Sequence, residues 1–294
     1  MRYYAILNPV AGKGKLAQIE KKLRQTFDKL GVEGEVVKTI SPGDAGHLAK
    51  IGIKKGYTHF LCIGGDGTLF EIINGIQDAP ITIGIIPIGE ANLFARTLGC
   101  NNYTWQNLLE QYVSIPRSTA VDIGKVNNFY FLTSVGFGLC VDSILDHKNK
   151  LSKRVRQKSW LKTLISRYQV PTLYETTITV DKKYTINVQS YDVQIINSSN
   201  FFYHEKNIPI SSHDRLLDLI ITDKSISTYQ ARKIRQTRLI TNVDLLSHIP
   251  SKYFSLQKPQ HLLIQVDGEL LEADAPLICT PASFQVRFLQ PQKY

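Results

Sequence analysis

Residues Gly64-Gly65-Asp66-Gly67-Thr68 lie between an apolar run, His59–Ile63, and a second apolar run with helical spacing in which Glu71 sits one turn in. A buried strand that stops at glycines and restarts as a helix leaves backbone N–H groups pointing out of the turn, and such groups suit phosphate. The one carboxylate among them, Asp66, can hold a cation or a water beside that phosphate. The pattern outlines a nucleotide site. An ordinary helix start explains part of it, with Thr68 as N-cap and Glu71 closing a capping box. It does not explain two glycines and an aspartate packed into the preceding turn, so a functional turn is the better reading.

Two further strand-to-helix junctions carry similar residues. Asn8-Pro9-Val10-Ala11-Gly12-Lys13-Gly14-Lys15 has glycines that let backbone approach a phosphate and lysines that add charge. It matches neither the Walker A loop nor the Rossmann fingerprint, and an ordinary connector accounts for it as well. Ile85–Arg96 joins another buried strand to a helix through Pro87-Ile88-Gly89-Glu90-Ala91-Asn92. Three such turns on one side of a sheet would build a crevice where open parallel sheets bind ligands. Later in the chain, Val266-Asp267-Gly268-Glu269 reads first as a two-residue hairpin turn. Ser211–Asp218, with Asp214 and Asp218, reads as an acidic loop whose oxygens could hold Mg2+.

The elements that must position these residues change character along the chain. Tyr3–Leu7, Gly34–Thr39, His59–Ile63 and Ile81–Ile86 are strand-like, and Leu16–Leu30 has helical spacing. Ser41-Pro42-Gly43-Asp44 has the form of a helix start, another helix runs from Thr68, and a further one starts near Glu90–Asn92 and ends at Gly99. This alternation predicts a mostly parallel sheet with helices on both faces. From about residue 116 the strand-like runs come in succession, from Val121–Lys125 to Ser283–Phe288, with turn residues such as Asn127-Asn128 and Asp267-Gly268 between them. That half predicts an antiparallel sandwich interrupted by helical stretches near Leu151–Tyr168 and Thr228–Leu246. The seam falls near residues 100–116.

The 294 residues can form two cores, and 43% hydrophobic with 20% charged residues is ordinary for a globular protein. The four cysteines form no CxxC pair and read as buried thiols in a reducing compartment. The N-terminal apolar run is too short for a signal or a membrane span, so a cytoplasmic protein is expected. The net charge of +10 favours anionic partners without choosing among them.

Taken as an ordered set, the turns resemble the catalytic domain of the diacylglycerol kinase and sphingosine kinase superfamily of lipid kinases, its soluble bacterial members above all. The set covers nearly the whole chain: Asn8-Pro9 with Gly12, Thr39 ahead of Gly43-Asp44-Ala45, Gly64–Gly75, Pro87–Arg96, Val121-Asp122-Ile123-Gly124 and Asp267-Gly268-Glu269. The Gly-Gly-Asp-Gly turn alone is shared with NAD kinases and phosphofructokinases. The resemblance implies an α/β domain of phosphofructokinase and NAD kinase type at 1–115 and a β-sandwich lipid-substrate domain at 116–294, whose last residues can return to the first, with MgATP in the cleft between them. It implies a nucleotide-binding set of Asn8, Pro9, Gly12, Thr39, Gly64, Gly65, Asp66, Gly67, Thr68, Glu71 and Asn92. It makes Asp66 the organiser of the catalytic Mg2+ through water and Glu269 the general base toward a lipid hydroxyl. It gives a structural Mg2+ to the Asp214 side chain and the carbonyls of Ser211 and Leu216.

The chain departs from the family pattern at Glu90 and Leu93, where Thr and Asp are usual, and at Arg215, where Gly is usual. A glycine-rich stretch is replaced by Asn197-Ser198-Ser199-Asn200. Asp66 and Glu269 remain, so an active kinase is expected over a non-catalytic lipid- or nucleotide-binding relic, and a lipid kinase over an NAD kinase. Lys148–Tyr168 carries eight cationic and several apolar residues, Trp160 among them, with no acidic residue. It has the make-up of a basic amphipathic helix that lies on anionic headgroups, or equally of a cationic helix packed on the sandwich. The expected partners are ATP, a lipid of diacylglycerol, sphingoid or polyprenol type, and the inner face of the membrane as a peripheral surface. A homodimer is left open, and no nucleic-acid module is visible.

Overall fold

The structure is a computed structural model that describes residues 2–11, 16–149, 172–198, 210–222, 246–257 and 262–292. The chain divides into two compact units, Met1–Ile123 with Ser283–Tyr294, and Gly124–Ala282. In chain order the first unit contains β1 (Arg2–Leu7), α1 (Leu16–Leu30), β2 (Glu33–Lys38), α2 (Asp44–Lys54), β3 (His59–Gly64), α3 (Asp66–Ile76), β4 (Thr82–Pro87), α4 (Leu93–Thr97), α5 (Trp105–Ser114) and the start of β5 (Ser118–Val126). The second holds β6 (Phe129–Phe131), β7 (Ser134–Gly138), α6 (Leu139–Asn149), β8 (Tyr174–Val180), β9 (Tyr184–Ser190), β10 (Asp192–Ile196), β11 (Leu217–Thr222), β12 (Leu246–Ser251), β13 (Phe254–Gln257), β14 (Leu262–Val266), β15 (Glu269–Ala273) and the start of β16 (Leu277–Leu289).

In the first unit the strands run β2-β1-β3-β4-β16, and each neighbouring pair is parallel. β1 and β3 are buried from their second residue to their last, as strands covered by helices on both sides must be. Tyr3, Leu7, Phe60, Ile83 and Phe288 are essentially without exposure, and each such side chain contributes roughly 2 kcal/mol of apolar burial. The register sets Leu7 beside Lys38 and Ile63, and Ile63 beside Ile86. The turns that leave β1, β2, β3 and β4 therefore start at one level on the same edge of the sheet. The helix α5 lies where the sequence suggests a seam. Thr104 caps it, its hydroxyl oxygen accepting from Asn107 N at 3.3 Å, and Leu108, Leu109, Tyr112 and Val113 are buried.

In the second unit six antiparallel strands run β12-β11-β10-β7-β14-β15. Another antiparallel group, β16-β13-β8-β9, faces them at least where Phe137 of β7 meets Tyr174 of β8, with ring centroids 6.3 Å apart. The cysteines are free thiols, three of them buried, as the sequence suggests. The basic segment, apart from Lys148 and Asn149 at the end of α6, and most of the helical stretch expected at 228–246 lie outside the described residues. The end of that stretch, Leu246, begins strand β12. Among the described residues no helix is long and apolar enough to cross a membrane.

Asp192, at the start of β10, is fully buried and its carboxyl is pushed up from 3.8 to about 6 by loss of hydration, against hydrogen bonds from Cys140 N and Gln194 Nε2. The folded chain holds this proton over a range in which the unfolded chain has released it. The group's stabilisation is therefore complete below pH 4 and lost as pH rises through 6, a change of roughly 3 kcal/mol. Urea unfolding at pH 4, 5, 6 and 7 should show a downward slope that Asp192→Asn reduces, the raised carboxyls of Asp218 and Asp267 supplying the rest. An unchanged slope in the variant would assign it elsewhere.

Candidate active site

In the first unit the chain builds a set of touching turns at the carboxyl edge of the parallel strands. The glycine turn gives way to α3 earlier than a capping box predicts: Gly65 occupies the N-cap and the helix opens at Asp66, with Leu69 N donating to Gly65 O at 3.1 Å. Thr68 is thus inside the first turn, and its hydroxyl oxygen accepts from Asn8 Nδ2 at 2.9 Å. Asn8 Oδ1 in turn accepts from Val10 N at 3.0 Å, so one side chain shapes its own turn and ties it to α3. The first N–H groups of α3 have no acceptor inside the helix and point to this edge, where the helix dipole favours an anion. Asp66 is half-buried in that first turn.

The turn after β4 lies directly against the turn after β3. Ile88 N donates to Gly64 O at 3.0 Å, and a Cβ on Gly89 would lie 2.5 Å from Gly65 Cα and 2.7 Å from Asn92 Oδ1. Only glycine at 89 allows backbones to approach this closely. Asn92, at φ 49, donates from Nδ2 to Gly89 O, while its Oδ1 is buried without a hydrogen-bond partner. Glu71 turns away from its own helix end. Its carboxylate accepts from Gly43 N at 2.7 Å and Ala45 N at 3.0 Å, capping α2, whose N-cap glycine has no side chain to do so. The Ser41 start expected from the sequence is replaced by this arrangement, and α2 opens at Asp44. Thr39 is buried at the end of β2, its N–H on Leu7 O.

In the second unit Asp267 and Gly268, at φ 50 and 88, form the two-residue hairpin turn between β14 and β15. Glu269 is the first residue of β15, half-buried and paired with Val266. The Asp267 side chain points inward. Its carboxylate accepts from Leu132 N, Thr133 N, Thr133 Oγ1 and Ser134 N at 2.6–3.1 Å. Burial pushes this carboxyl up, and those four donors oppose the shift. The 211–216 loop closes on itself, Leu216 N donating to Asp214 Oδ1 at 3.0 Å and His213 N to Ser211 Oγ at 3.2 Å. Asp218 is buried behind the loop, with His248 Nε2 2.6 Å from its Oδ1 and its Oδ2 lacking a partner. Loss of hydration raises its carboxyl, His248 counteracts this and Asp214 adds to it.

A model of the diacylglycerol kinase catalytic domain matches residues 2–126. The diacylglycerol kinase of Bacillus subtilis (strain 168) is 30% identical over 228 residues, 75% of this chain and 73% of that protein. The chain belongs to the diacylglycerol kinase family. A diacylglycerol kinase of Staphylococcus aureus (strain MRSA252) is 33% identical over 152 residues, 51% of this chain and 48% of its own length. The crystal structure of a diacylglycerol kinase from Bacillus anthracis str. Sterne superposes with a TM-score of 0.75 at 23% identity, covering 97% of this chain and 96% of that one. Family membership makes the protein a kinase, with an N-terminal α/β domain of mostly parallel sheet and a C-terminal antiparallel domain.

Against that family pattern the structure groups Asn8 with Thr68, Gly65 with Gly89 and Asn92, and Glu71 with the start of α2. Gly12 lies outside the described residues, while Pro9 is exposed in the turn after β1. Glu90 is exposed and Leu93 is the first residue of α4. Arg215 holds φ 57, the left-handed region that favours the glycine usual at that position. Sequence reasoning missed the capping role of Glu71 and the inward clamp of Asp267. A Glu and an Asp give no sign of which distant backbone they will reach.

Gly89→Ala should push the two turns apart, because the new Cβ meets backbone rather than a side chain that can rotate away. Overpacking of this kind costs about 1–3 kcal/mol. ATP affinity measured by equilibrium dialysis should fall at least tenfold, while Gly99→Ala, at a glycine of φ 75 with open space around it, leaves affinity unchanged. Equal loss in both variants would assign the effect to general destabilisation and not to the contact of Gly89 with Gly65.

Proposed function

We propose that this kinase transfers the γ-phosphoryl group of ATP to the hydroxyl of a lipid of the diacylglycerol class, with Mg2+ as cofactor. The observation that carries the reading is the set of touching turns around the N-terminus of α3, where glycines at 64, 65 and 89 keep side chains out and one carboxylate, Asp66, lies in the first turn. A phosphate chain fits such a cradle. The buried Oδ1 of Asn92, without a partner, suits a donor brought by the nucleotide or by a metal-bound water.

The donor set also suits Mg2+. Among the described residues no group of three or more His, Cys, Asp or Glu side chains could hold a metal. Mg2+ in phosphoryl transfer needs no such cage, since it keeps several waters and takes one or two carboxylates together with substrate phosphates. Asp66 would hold it, and when bound it would neutralise charge that develops on the phosphate oxygens. Thr39, Asn8, Pro9, Gly12, Gly67 and Thr68 bind and orient the phosphates, with Glu71 fixing the loop that bears Thr39. Glu269 accepts the proton of the lipid hydroxyl. Asp214, with the carbonyls of Ser211 and Leu216, offers hard oxygen atoms to a second, structural Mg2+. The lipid substrate and the net charge of +10 support peripheral association with an anionic membrane.

The test is transfer of labelled phosphate from ATP in the presence of Mg2+ to a panel of mixed micelles containing dioctanoylglycerol, sphingosine or a short polyprenol, with NAD as a water-soluble acceptor. Label is expected in the organic phase and to vanish on chelation of Mg2+. Label on NAD, or on no acceptor, would reject the reading.

A further inference from the structure

A buried pair of glutamines links the interior of the second unit to the turn that carries Glu269. Gln194 on β10 and Gln265 on β14 are 5% and 4% exposed. They lie on opposite sides of β7, and in the strand register both are partners of the same residue, Gly136. Two strand spacings separate them, roughly 9–10 Å of backbone. Their amides nevertheless meet, Gln265 Nε2 donating to Gln194 Oε1 at 2.9 Å. They can do so because the residue between them has no side chain: a Cβ on Gly136 would lie 2.6 Å from Gln194 Cδ and Nε2.

The direction of this relay is fixed at its outer end. Gly268 N can only donate, and it donates to Gln265 Oε1 at 2.9 Å. Gln265 Nε2 must then face inward, where its hydrogens go to Gln194 Oε1 and to Ser134 Oγ at 3.1 Å. Gln194 has its Nε2 toward the Asp192 carboxylate at 3.2 Å and toward Cys140 Sγ. Every polar atom of the Gln265 amide is used, so neither rotation nor reversal of that amide keeps the hydrogen bonds. Gly268 lies between Asp267, whose own N–H donates to Ser134 O at 2.9 Å, and Glu269, so the relay holds the second backbone amide of the turn through a side chain.

We propose that Gln265, supported across Gly136 by Gln194, is a positioning residue for Glu269: it fixes the turn backbone from which the proton-accepting carboxylate projects. The proposal rests on the reading of Glu269 as the base. A misplacement of about 1 Å at a reacting group can lower turnover by roughly 100-fold with no change in binding elsewhere.

The experiment compares Gln265→Met, Gln194→Met and Glu269→Gln, using dioctanoylglycerol in mixed micelles as acceptor. Methionine keeps the length and removes all three hydrogen-bonding functions. Gln265→Met should lower kcat 10- to 100-fold with KM for ATP within twofold, and Gln194→Met should give a smaller fall with the same KM. A merely structural defect would lower the folded fraction and leave kcat per active site unchanged, which active-site titration with a tight nucleotide analogue separates. Hydrogen exchange of wild-type peptides spanning 266–270 provides a readout that needs no variant to fold: the Gly268 amide should be protected at least 100-fold. An unprotected Gly268 amide, or kcat above half the wild-type value in Gln265→Met when Glu269→Gln is inactive, overturns the proposal alone. If wild type transfers no label, or Glu269→Gln keeps full activity, the base reading itself falls, and this proposal with it.

Discussion

Glu269→Gln is expected to lower kcat for lipid phosphorylation by about 10²–10⁴-fold, the range for loss of a positioned general base, with KM for ATP and the Mg2+ requirement unchanged. Phosphoryl transfer asks little covalent chemistry of a protein, and proton removal from the alcohol is one of the few steps a side chain can perform. Glutamine keeps the shape of the carboxylate and loses its ability to take that proton. Asp66→Asn should differ in kind. It weakens the hold on the cation, so activity falls at least about 100-fold at low Mg2+ and recovers in part as Mg2+ is raised. Initial rates over a matrix of ATP and Mg2+ concentrations distinguish the two. A Glu269→Gln enzyme whose defect is relieved by Mg2+, or an Asp66→Asn enzyme whose defect is not, would reverse or remove these roles.

The largest stability effect is expected at Asp267. Its carboxylate satisfies three backbone N–H groups and one hydroxyl, all buried. Backbone donors cannot turn away, and each one left buried without an acceptor costs about 1–3 kcal/mol. Because the losses are not additive, Asp267→Ala is expected to cost about 4 kcal/mol, a large share of the 5–15 kcal/mol that holds a typical domain together. Asp267→Asn should cost about half as much, since one oxygen remains while the new NH2 faces donors. Thr133→Val removes the only donor that is a side chain and should cost about 1 kcal/mol. Urea unfolding of the three variants should give that order. An Asp267→Ala protein as stable as wild type would mean that the 132–134 backbone finds other acceptors, and the clamp would lose its importance.

These two expectations differ in how far they could be reached without coordinates. Glu269 and Asp66 are legible as chemistry because a Gly-Gly-Asp-Gly-Thr turn after an apolar run and an Asp-Gly-Glu hairpin are local patterns. Their backbone consequences follow within a few residues, and the strands and the α1 helix around them were equally plain. Local rules also failed in local ways. Thr68 and Ser41 both had the surroundings of an N-cap, yet α3 opens at Asp66 and α2 at Asp44. For α2 a side chain from elsewhere, Glu71 on Gly43 N and Ala45 N, supplied what the local cap would have given; α3 has no side-chain cap, and its Thr68 hydroxyl accepts from Asn8 instead. Helix α5 is hard to see in the sequence because its buried residues, Leu108, Leu109, Tyr112 and Val113, lie in a polar stretch that resembles a linker.

By itself the chain determined its alternation of strands and helices, its change to antiparallel pairing, its free thiols and its glycine turns at strand ends. All of these rest on periodicity and on backbone freedom within a few residues. Tertiary structure alone decided that Gly89 faces Gly65, that Glu71 caps a helix 26 residues upstream at Ala45, and that two glutamines meet over Gly136. Those contacts depend on strand register and on which faces pack together, and a shift of one residue in register would turn the two glutamines to the opposite face of their sheet.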